Sequence, residues 1–216
     1  TQVAGFNQFF DDPPGSDVER YAAALDQKVS SSVFAGIEIS KRDLDVPITI
    51  ETPSTTLDIE ENQDELLHRT YLYWTPDKRV ALRAEYEFEK LKRDALPGFA
   101  NSIRPKEIRT NRLPLGVNYY HPNGLFSEVL TTYYKQDVEF PTLTGNNHDD
   151  DSFWLVDFSA GYRLPKRYGL VSFVVKNVFD ENFSFQDTLL SGEAIKPSVP
   201  TIQPERAVYW RFTLSY

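Results

Sequence analysis

The chain of 216 residues contains no cysteine and no methionine, and only three histidines. Without cysteine it can form neither disulfides nor thiolate metal sites, and its redox compartment cannot be read from cysteine usage. It has no run of about 18 apolar residues, which excludes a membrane-spanning helix. Because 32 acidic residues outnumber 23 basic ones and give a net charge of −9, a nucleic-acid partner, which requires a basic surface, is not expected.

Catalytic patterns are also missing. The three histidines lie far apart, and none stands in the H-x-x-H or H-E-x-x-H spacing of a metalloenzyme. His148 precedes Asp149, Asp150 and Asp151, whose carboxylates suit Ca²⁺ or Mg²⁺, but the cluster lacks the spacing and the glycine of an EF-hand loop. A solvated acidic loop is therefore the favoured interpretation, with Asp149–Asp151 as the only metal candidate. We expect no catalytic residue, no cofactor and no enzymatic activity.

What the chain does have is aromatic residues, 14% of the total, and a closing stretch with two distinct faces. Alternate residues of the last segment are apolar or aromatic, and those between them are polar. The apolar set is Val208, Trp210, Phe212, Leu214 and Tyr216. This pattern is typical of a lipid-facing strand in an outer-membrane barrel, with aromatic residues at the interface. The alternative is the terminal strand of a soluble β-sandwich.

Similar alternation recurs along the whole chain in about ten segments, with short turns at 30–32, 75–78, 121–124 and 165–169 and longer connections between them. Segments of about 9–14 residues exceed the usual soluble strand and match a tilted membrane strand of about 9–11. The predicted strands are 1–10, 18–29, 33–44, 66–74, 79–93, 108–121, 125–140, 153–164, 170–185 and 208–216. We predict one all-β domain over 1–216, an antiparallel transmembrane β-barrel meander of about ten long strands, either a complete small barrel or the C-terminal part of a larger one.

Three polar segments, 45–65, 141–152 and 186–204, are predicted to be loops. Pro114 lies inside a predicted strand and removes a hydrogen-bond donor from the ladder. We therefore expect a bulge or a late strand start at Pro114.

Charged residues alternate with apolar ones most clearly in the predicted strand 79–93. A cation facing lipid near the midplane costs about 2–4 kcal/mol, so the charged face must point into the barrel lumen or into solvent. We predict that the arginines of this face form ion pairs with its acids, because an unpaired buried charge is expensive. The predicted cations are Arg83, Arg163 and Arg211, and the predicted acids are Glu38, Glu85, Glu87 and Asp157.

One motif near the C-terminus resembles a known family. Lys176, Asn177, Phe179 and Asp180 belong to a V-K-N-V-F-D run, and 204–206 read Pro-Glu-Arg just before the closing strand. This arrangement resembles the C-terminal end of TonB-dependent receptors, in which V-K-N-L-F-D-x-x-Y precedes P-x-R-x-aromatic and a last strand that ends in an aromatic residue. Here Val replaces Leu at 178, Phe replaces Tyr at 183, and Tyr216 stands where Phe is commonest. The resemblance covers roughly the last 65 residues, and Asn and Asp are residues that β-propensity disfavours.

The resemblance implies an outer-membrane transport or receptor barrel in contact with outer-membrane lipid, whose solute the sequence does not identify. It also implies that Trp210, Phe212 and Tyr216 form the signal that the barrel-insertion machinery binds. The plug domain and TonB box of the family are not in this chain, so an energy-coupling periplasmic protein would act through N-terminal regions outside it. The chain starts at Thr1 without Met or a signal peptide, so we expect a processed or truncated product.

The alternative is a barrel that anchors or exports a larger outer-membrane protein with a periplasmic domain, which tetratricopeptide repeats could form. A plug and TonB box upstream of Thr1 would favour the receptor, and helical repeats would favour the anchor.

Overall fold

The structure, a computed structural model, describes residues 2–3, 6–7, 15–51, 56–94, 105–142, 145–183 and 205–214. In these ranges the regular structure is β, apart from one 3-10 turn at Pro165–Arg167. The strands are β1 Gln2–Val3, β2 Phe6–Asn7, β3 Asp17–Lys28, β4 Val33–Glu51, β5 Thr56–Trp74, β6 Val80–Arg93, β7 Glu107–Tyr120, β8 Leu125–Thr142, β9 Gly145–Arg163, β10 Gly169–Lys176 and β11 Ala207–Leu214.

Strands β3 to β11 form one nine-stranded antiparallel sheet in the order of the sequence. The predicted all-β antiparallel meander is thus confirmed, and so are the four short turns, which connect β3 to β4, β5 to β6, β7 to β8 and β9 to β10. The edges of the sheet are β3 and β11, and no ladder joins them in the described part of the chain. Since every neighbouring pair is antiparallel, these two edge strands run in the same direction.

The predicted first strand, 1–10, differs from the structure. Gln2–Val3 pairs with Phe6–Asn7 in a small ladder that is separate from the main sheet. Residues 8–14 lie outside the described residues. Within the described residues the sheet therefore has nine strands, where about ten were predicted.

Two of the predicted loops are wrong, because the hairpins that contain them continue as strands. Residues Lys41–Glu51 pair with 56–66, and Lys135–Thr142 pair with 145–152, in unbroken register with the strands below. Conversely, the predicted strand 170–185 ends at Lys176. The predicted loop 186–204 lies outside the described residues. Polar composition indicated loops in these hairpins, but alternation of buried and less buried residues continues along β4 to Thr49 and along β8 to Val138, while Gly145–Asp150 of β9 are all exposed.

Pro114 causes neither a bulge nor a late strand start. The strand begins at Glu107 and pairs without a break on its β8 side. On its β6 side, pairing stops at Ala84 with Leu115 and resumes at Glu87 with Arg112 in the same register. The missing N–H therefore leaves a local gap in one ladder and keeps the faces of β7 unchanged.

The register assigns each strand residue to a face, because residues directly opposite each other in neighbouring strands point to the same side of a sheet. All three tryptophans, Trp74, Trp154 and Trp210, fall on one face, which we name the tryptophan face. One continuous row of this face is apolar across eight strands. The row is Val33, Trp74, Leu82, Val117, Val129, Phe158, Val175 and Val208.

The apolar residues change face at one level of the sheet. Between this level and the short turns, the tryptophan face is apolar and exposed, as at Val117, which is 48% accessible. Beyond it, the tryptophan face becomes charged, and the opposite face carries the buried core, with Ile108 only 1% accessible. The first charged row of the tryptophan face is Lys41, Leu66, Lys90, Arg109, Asp137 and Asp150. The buried apolar residues of the opposite face beyond the level include Leu44, Val46, Leu91, Ile108 and Val138.

We expect Ile108→Ala to destabilise the folded protein by about 2–5 kcal/mol, because it leaves a cavity among Leu91, Val138 and Phe140. Ile39→Ala, on the tryptophan face, is the matched control and should cost less, because Ile39 is 41% accessible and its truncation leaves no enclosed cavity. Urea unfolding of the two variants measures both. A larger loss for Ile39→Ala would show that the tryptophan face is the tightly packed core.

Candidate functional site

The charged residues predicted from the alternation lie together on the opposite face, on the short-turn side of the level where the apolar residues change face. Register pairs in β6 to β11 place all of Arg83, Glu85, Glu87, Asp157, Arg163 and Arg211 there. Glu38, in β4, lies on the same face. We name this surface the charged surface.

Its most buried acid is Glu85, which is 8% accessible. Arg69 Nη2 donates to Glu85 Oε2 at 2.9 Å, and the Tyr73 hydroxyl donates to Glu85 Oε1 at 2.8 Å. The Arg69 guanidinium also lies 5.5 Å from the centre of the Tyr71 ring. Both carboxylate oxygens of Glu85 therefore have donors, which is the condition under which a buried charge is tolerated.

The network continues along β6 towards β7. Glu87 lies 3.7 Å from Arg69 Nε and 3.4 Å from Arg112 Nη1. Arg112 forms a second ion pair with Glu89. Cations and acids thus alternate across β5, β6 and β7.

Arg83 does not pair with any of the acids predicted for it. Its Nη2 instead lies 3.2 Å from Oε1 of Glu128, two strands away on β8. The side chain crosses β7 over Gly116, where an added Cβ atom would lie 2.5 Å from Arg83 Nε. Glycine at 116 therefore leaves the space through which Arg83 reaches Glu128.

The other predicted pairs also differ. Asp157 is paired with Lys176 at 2.6 Å, and not with an arginine. Glu38, Arg163 and Arg211 form no ion pair within the described ranges, although Arg211 lies 5.9 Å from the Tyr209 ring centre. Arg163 and Arg211 are exposed to solvent at the β9–β11 side, so the desolvation cost that motivated the predicted pairs does not arise there.

The charged surface contains an open depression of about 160 Å³ near the β11 edge. Its polar lining is Arg83, Glu128, Asp157, Ser159, Lys176, Tyr209 and Arg211. Three cations face two carboxylates and a phenol, so the depression can form hydrogen bonds with a polar solute and carries a local positive excess. The sequence analysis did not include Glu128, Lys176 and Tyr209 among the residues of the charged surface. Their alternate positions along β8, β10 and β11 indicated that they lie on this face.

Asp149, Asp150 and Asp151 are not in a loop, as was predicted, but in the extended strand β9. Successive side chains of a strand point to opposite faces, so Asp150 projects away from Asp149 and Asp151. The described residues contain no group of three or more His, Cys, Asp or Glu that could hold a metal ion. The geometry explains why these three carboxylates do not converge.

The motif residues Lys176 and Asn177 end β10. Asn177 is 3% accessible and has a φ of 49°, a left-handed conformation that asparagine tolerates better than most residues. Its side-chain amide donates to the Glu181 carbonyl and its side-chain oxygen accepts from the Glu181 N–H, both at 2.9 Å. Its own N–H donates to Asp157 at 3.0 Å, on the carboxylate that also binds Lys176. The motif therefore fixes the turn after β10 and ties it to β9.

Asp180 extends this turn to the closing strand. Its carboxylate accepts from the Arg206 N–H at 3.0 Å and lies 3.4 Å from the Arg206 guanidinium. Phe179 is 71% accessible, whereas Phe183 is buried and stacks on Phe153 with ring centres 4.2 Å apart. The motif and the P-E-R run thus place the start of β11 beside the end of β10.

Trp210 and Phe212 of the predicted insertion signal lie on the tryptophan face and are exposed. Tyr216 lies outside the described residues. In the sheet β11 pairs with β10 only, so its other edge is free to accept a strand in the described part of the chain.

We expect Asn177→Ala to destabilise the protein by about 2–3 kcal/mol, because it removes two buried hydrogen bonds and strains the left-handed backbone. Asn177→Gly keeps the left-handed backbone conformation and should lose only the part of the stability that the two side-chain hydrogen bonds contribute. Equilibrium unfolding of both variants separates the two contributions. Equal stability of Asn177→Ala and wild type would show that the turn does not hold β10 and β11 together.

Glu85→Ala removes the main partner of Arg69 and should destabilise by about 1–3 kcal/mol, because Arg69 is 34% accessible and keeps Glu87 at 3.7 Å. The double variant Arg69→Met/Glu85→Met should be more stable than Glu85→Ala, because apolar side chains then replace both charges of the pair. Unfolding measurements on the two variants make the comparison. A double variant that is the less stable of the two would contradict the pairing.

Comparison of the chain with protein-family models, curated proteins and solved structures found no match. Among the described residues, no helix has the length and apolar character needed to cross a membrane. The two faces of the sheet and the charged surface are therefore the features that bear on function.

Proposed function

We propose that this chain forms part of a transmembrane β-barrel in the bacterial outer membrane and acts in transport or as a receptor. Its tryptophan face contacts lipid, and its charged surface lines a polar lumen. The observation that carries the proposal is the change of apolar face at a single level. A soluble sheet buries the same face along its whole length. A strand of a membrane barrel instead carries apolar residues on its outer face where it crosses the lipid, and on its inner face where it extends beyond the lipid.

The height of the apolar band supports this assignment. On β6 it runs from Val80 to Phe88, which is about 26 Å along a strand at 3.3 Å per residue. A strand tilted by about 45° then covers roughly 19 Å of membrane, and the side chains at both ends extend it towards the apolar band of about 25 Å on outer-membrane barrels. An exposed apolar surface this wide is rare on soluble monomers.

Aromatic residues border the band on both sides, as in the girdles of outer-membrane proteins. On the tryptophan face, Trp74, Tyr119 and Tyr162 lie near the short turns. Tyr133 and Trp154, with ring centres 5.1 Å apart, lie at the opposite border. Both borders thus carry side chains suited to the interface between lipid and water.

Beyond the band, hairpins β4–β5 and β8–β9 extend into the aqueous phase. On the tryptophan face of the first hairpin, Lys41 Nζ lies 2.7 Å from Asp43 and 3.7 Å from Asp64. The hydrogen bond from Lys41 lowers the pKa of Asp43 below its usual value. Charges at these positions are compatible with water and not with hydrocarbon, which supports placing the lipid boundary at Lys41.

The shared direction of β3 and β11 limits how the barrel can close. Joining them directly would require one parallel pair, and joining two copies inserted in the same orientation would give parallel pairs as well. An all-antiparallel barrel therefore needs an odd number of additional strands between these edges. Free edges in hydrocarbon would leave backbone amides unsatisfied, at several kcal/mol each.

The charged surface supports transport or reception of a polar or charged solute, and the resemblance to TonB-dependent receptors supports coupling to an energy-transducing periplasmic protein through regions outside this chain. The free edge of β11, with Trp210 and Phe212 on its apolar face, supports its role as the strand that the barrel-insertion machinery binds by β-augmentation.

Tryptophan fluorescence tests the membrane assignment directly, because all three tryptophans lie on the proposed lipid face. In proteoliposomes we expect blue-shifted emission that lipids brominated on the acyl chains quench strongly. Aqueous acrylamide should quench weakly. The three single Trp→Phe variants report which tryptophan each signal comes from.

The opposite result, strong acrylamide quenching with no effect of brominated lipid on correctly folded protein, would exclude the barrel and favour a soluble sheet. A complementary measurement of the transport function is solute flux through proteoliposomes that contain the complete barrel, with Arg83→Gln as the variant and Lys78→Gln as the control.

A further inference from the structure

The depression on the charged surface combines a polar rim with an apolar floor. Leu130 on β8 and Val174 on β10 form the floor, on either side of β9. Val174 is buried, so the floor is closed. The volume of about 160 Å³ is close to that of a protein cavity of about 150 Å³ that holds one benzene ring. The depression therefore has room for a small solute with an apolar body.

Both carboxylates of the rim already have cationic partners. Glu128 lies 3.2 Å from Arg83, and Asp157 lies 2.6 Å from Lys176. The third cation, Arg211, has no ion pair in the part of the chain that the structure describes. The lining thus carries one positive charge that no carboxylate of the lining balances.

The surrounding strand segments add to this excess. Residues 121–134, 153–176 and 207–214 make up the short-turn end of β8 to β11 with its two turns, and Glu128 and Asp157 are the only acids among them. The same segments contain five cations, which are Arg163, Lys166, Arg167, Lys176 and Arg211. This end of the sheet is therefore positive, although the chain as a whole has a net charge of −9.

Arg211 is placed to use its charge on a ligand. The register puts the uncharged Ser172 directly opposite it, and the next charged residue of this face towards the short turns is the cation Arg163. Its guanidinium lies 5.9 Å from the centre of the Tyr209 ring, within the range of a cation–π attraction that holds it at the rim. The side chain is exposed, so its N–H groups are accessible from the depression.

A carboxylate suits these groups better than a phosphate does. A guanidinium donates two parallel hydrogen bonds to a carboxylate, and a phenol such as that of Tyr209 is a further donor. One carboxylate also matches the single unbalanced positive charge of the lining. A phosphate ester carries roughly −1.5 to −2 charges at pH 7, and Glu128 and Asp157 would repel the additional charge.

We propose that the depression binds a small organic acid that has one carboxylate on an apolar body. Arg211 and Tyr209 hold the carboxylate, and the apolar body lies against Leu130 and Val174. The inference rests on the proposed function, which it deepens by naming the class of solute, because the charged surface meets a solute on its way through the barrel only if it lines the lumen.

The test is a titration of the complete barrel in phosphatidylcholine nanodiscs with benzoate, which consists of one ring and one carboxylate. Saturation-transfer NMR measures the binding, with empty nanodiscs as the blank. Wild type should bind benzoate saturably, and Arg211→Gln should bind it about tenfold more weakly, because hydrogen bonds to a charged group are lost. The matched control is Arg79→Gln, which removes an exposed arginine at the short-turn end of β6 and should leave the affinity unchanged.

Two analogues of benzoate test the ligand class on the same samples. Benzamide keeps the shape of benzoate without its charge, and phenyl phosphate carries more charge on the same ring. Both should bind to wild type more weakly than benzoate does. Benzamide binding as tightly as benzoate would refute the carboxylate site, and tighter binding of phenyl phosphate would refute the choice of a carboxylate over a phosphate.

The variants supply further outcomes that would overturn the inference. These are equal benzoate binding by Arg211→Gln and wild type, and an equal loss of binding in Arg79→Gln. Quenching by brominated lipid reports membrane insertion separately. Inserted wild type that does not bind benzoate refutes the organic-acid site alone, whereas wild type that does not insert refutes the proposed function and this inference with it.

Discussion

The cross-strand register is the constraint on which the rest of this structure depends. A slip of one residue in any strand would exchange its two faces, moving charges such as Arg69 and Glu85 to the side of Val117 and Trp74. The hairpins fix the register with four short turns, and the motif turn at Asn177 fixes it for the last strand. The ion pairs, the apolar row and the level at which the apolar residues change face all follow from this one alignment.

Alternation in the sequence was sufficient to predict the antiparallel meander, the four short turns and the two faces. It failed in the hairpins beyond Leu44 and Phe140, where polar and charged residues suggested loops. In the first of these hairpins the apolar residues continue at every second position, as at Val46, but on the other face. Strand prediction by composition misses such a segment, because half of its residues are charged and the phase of the pattern has shifted by one. The phase shift itself was visible in the sequence and is the signal that could have extended the strands.

The ion-pair partners within the charged surface were less predictable than the set of residues that form this surface. Which acid an arginine reaches depends on residues of the intervening strand, as Gly116 shows by letting Arg83 extend across β7 to Glu128. Solvent exposure matters as well, since Arg163 and Arg211 lie near an edge and need no partner. Neither register nor exposure can be read from one strand at a time, so the face was predicted correctly and the pairs were not.

The common direction of β3 and β11 has a consequence for how such a sheet can change size during evolution. Up-and-down sheets grow and shrink by duplication or loss of whole hairpins, and each such event changes the strand number by two. A sheet with an odd number of strands stays odd through any number of these events. The requirement for an odd number of complementary strands, should the sheet close with antiparallel pairs only, is therefore inherited unchanged, while the width of the sheet is free to change.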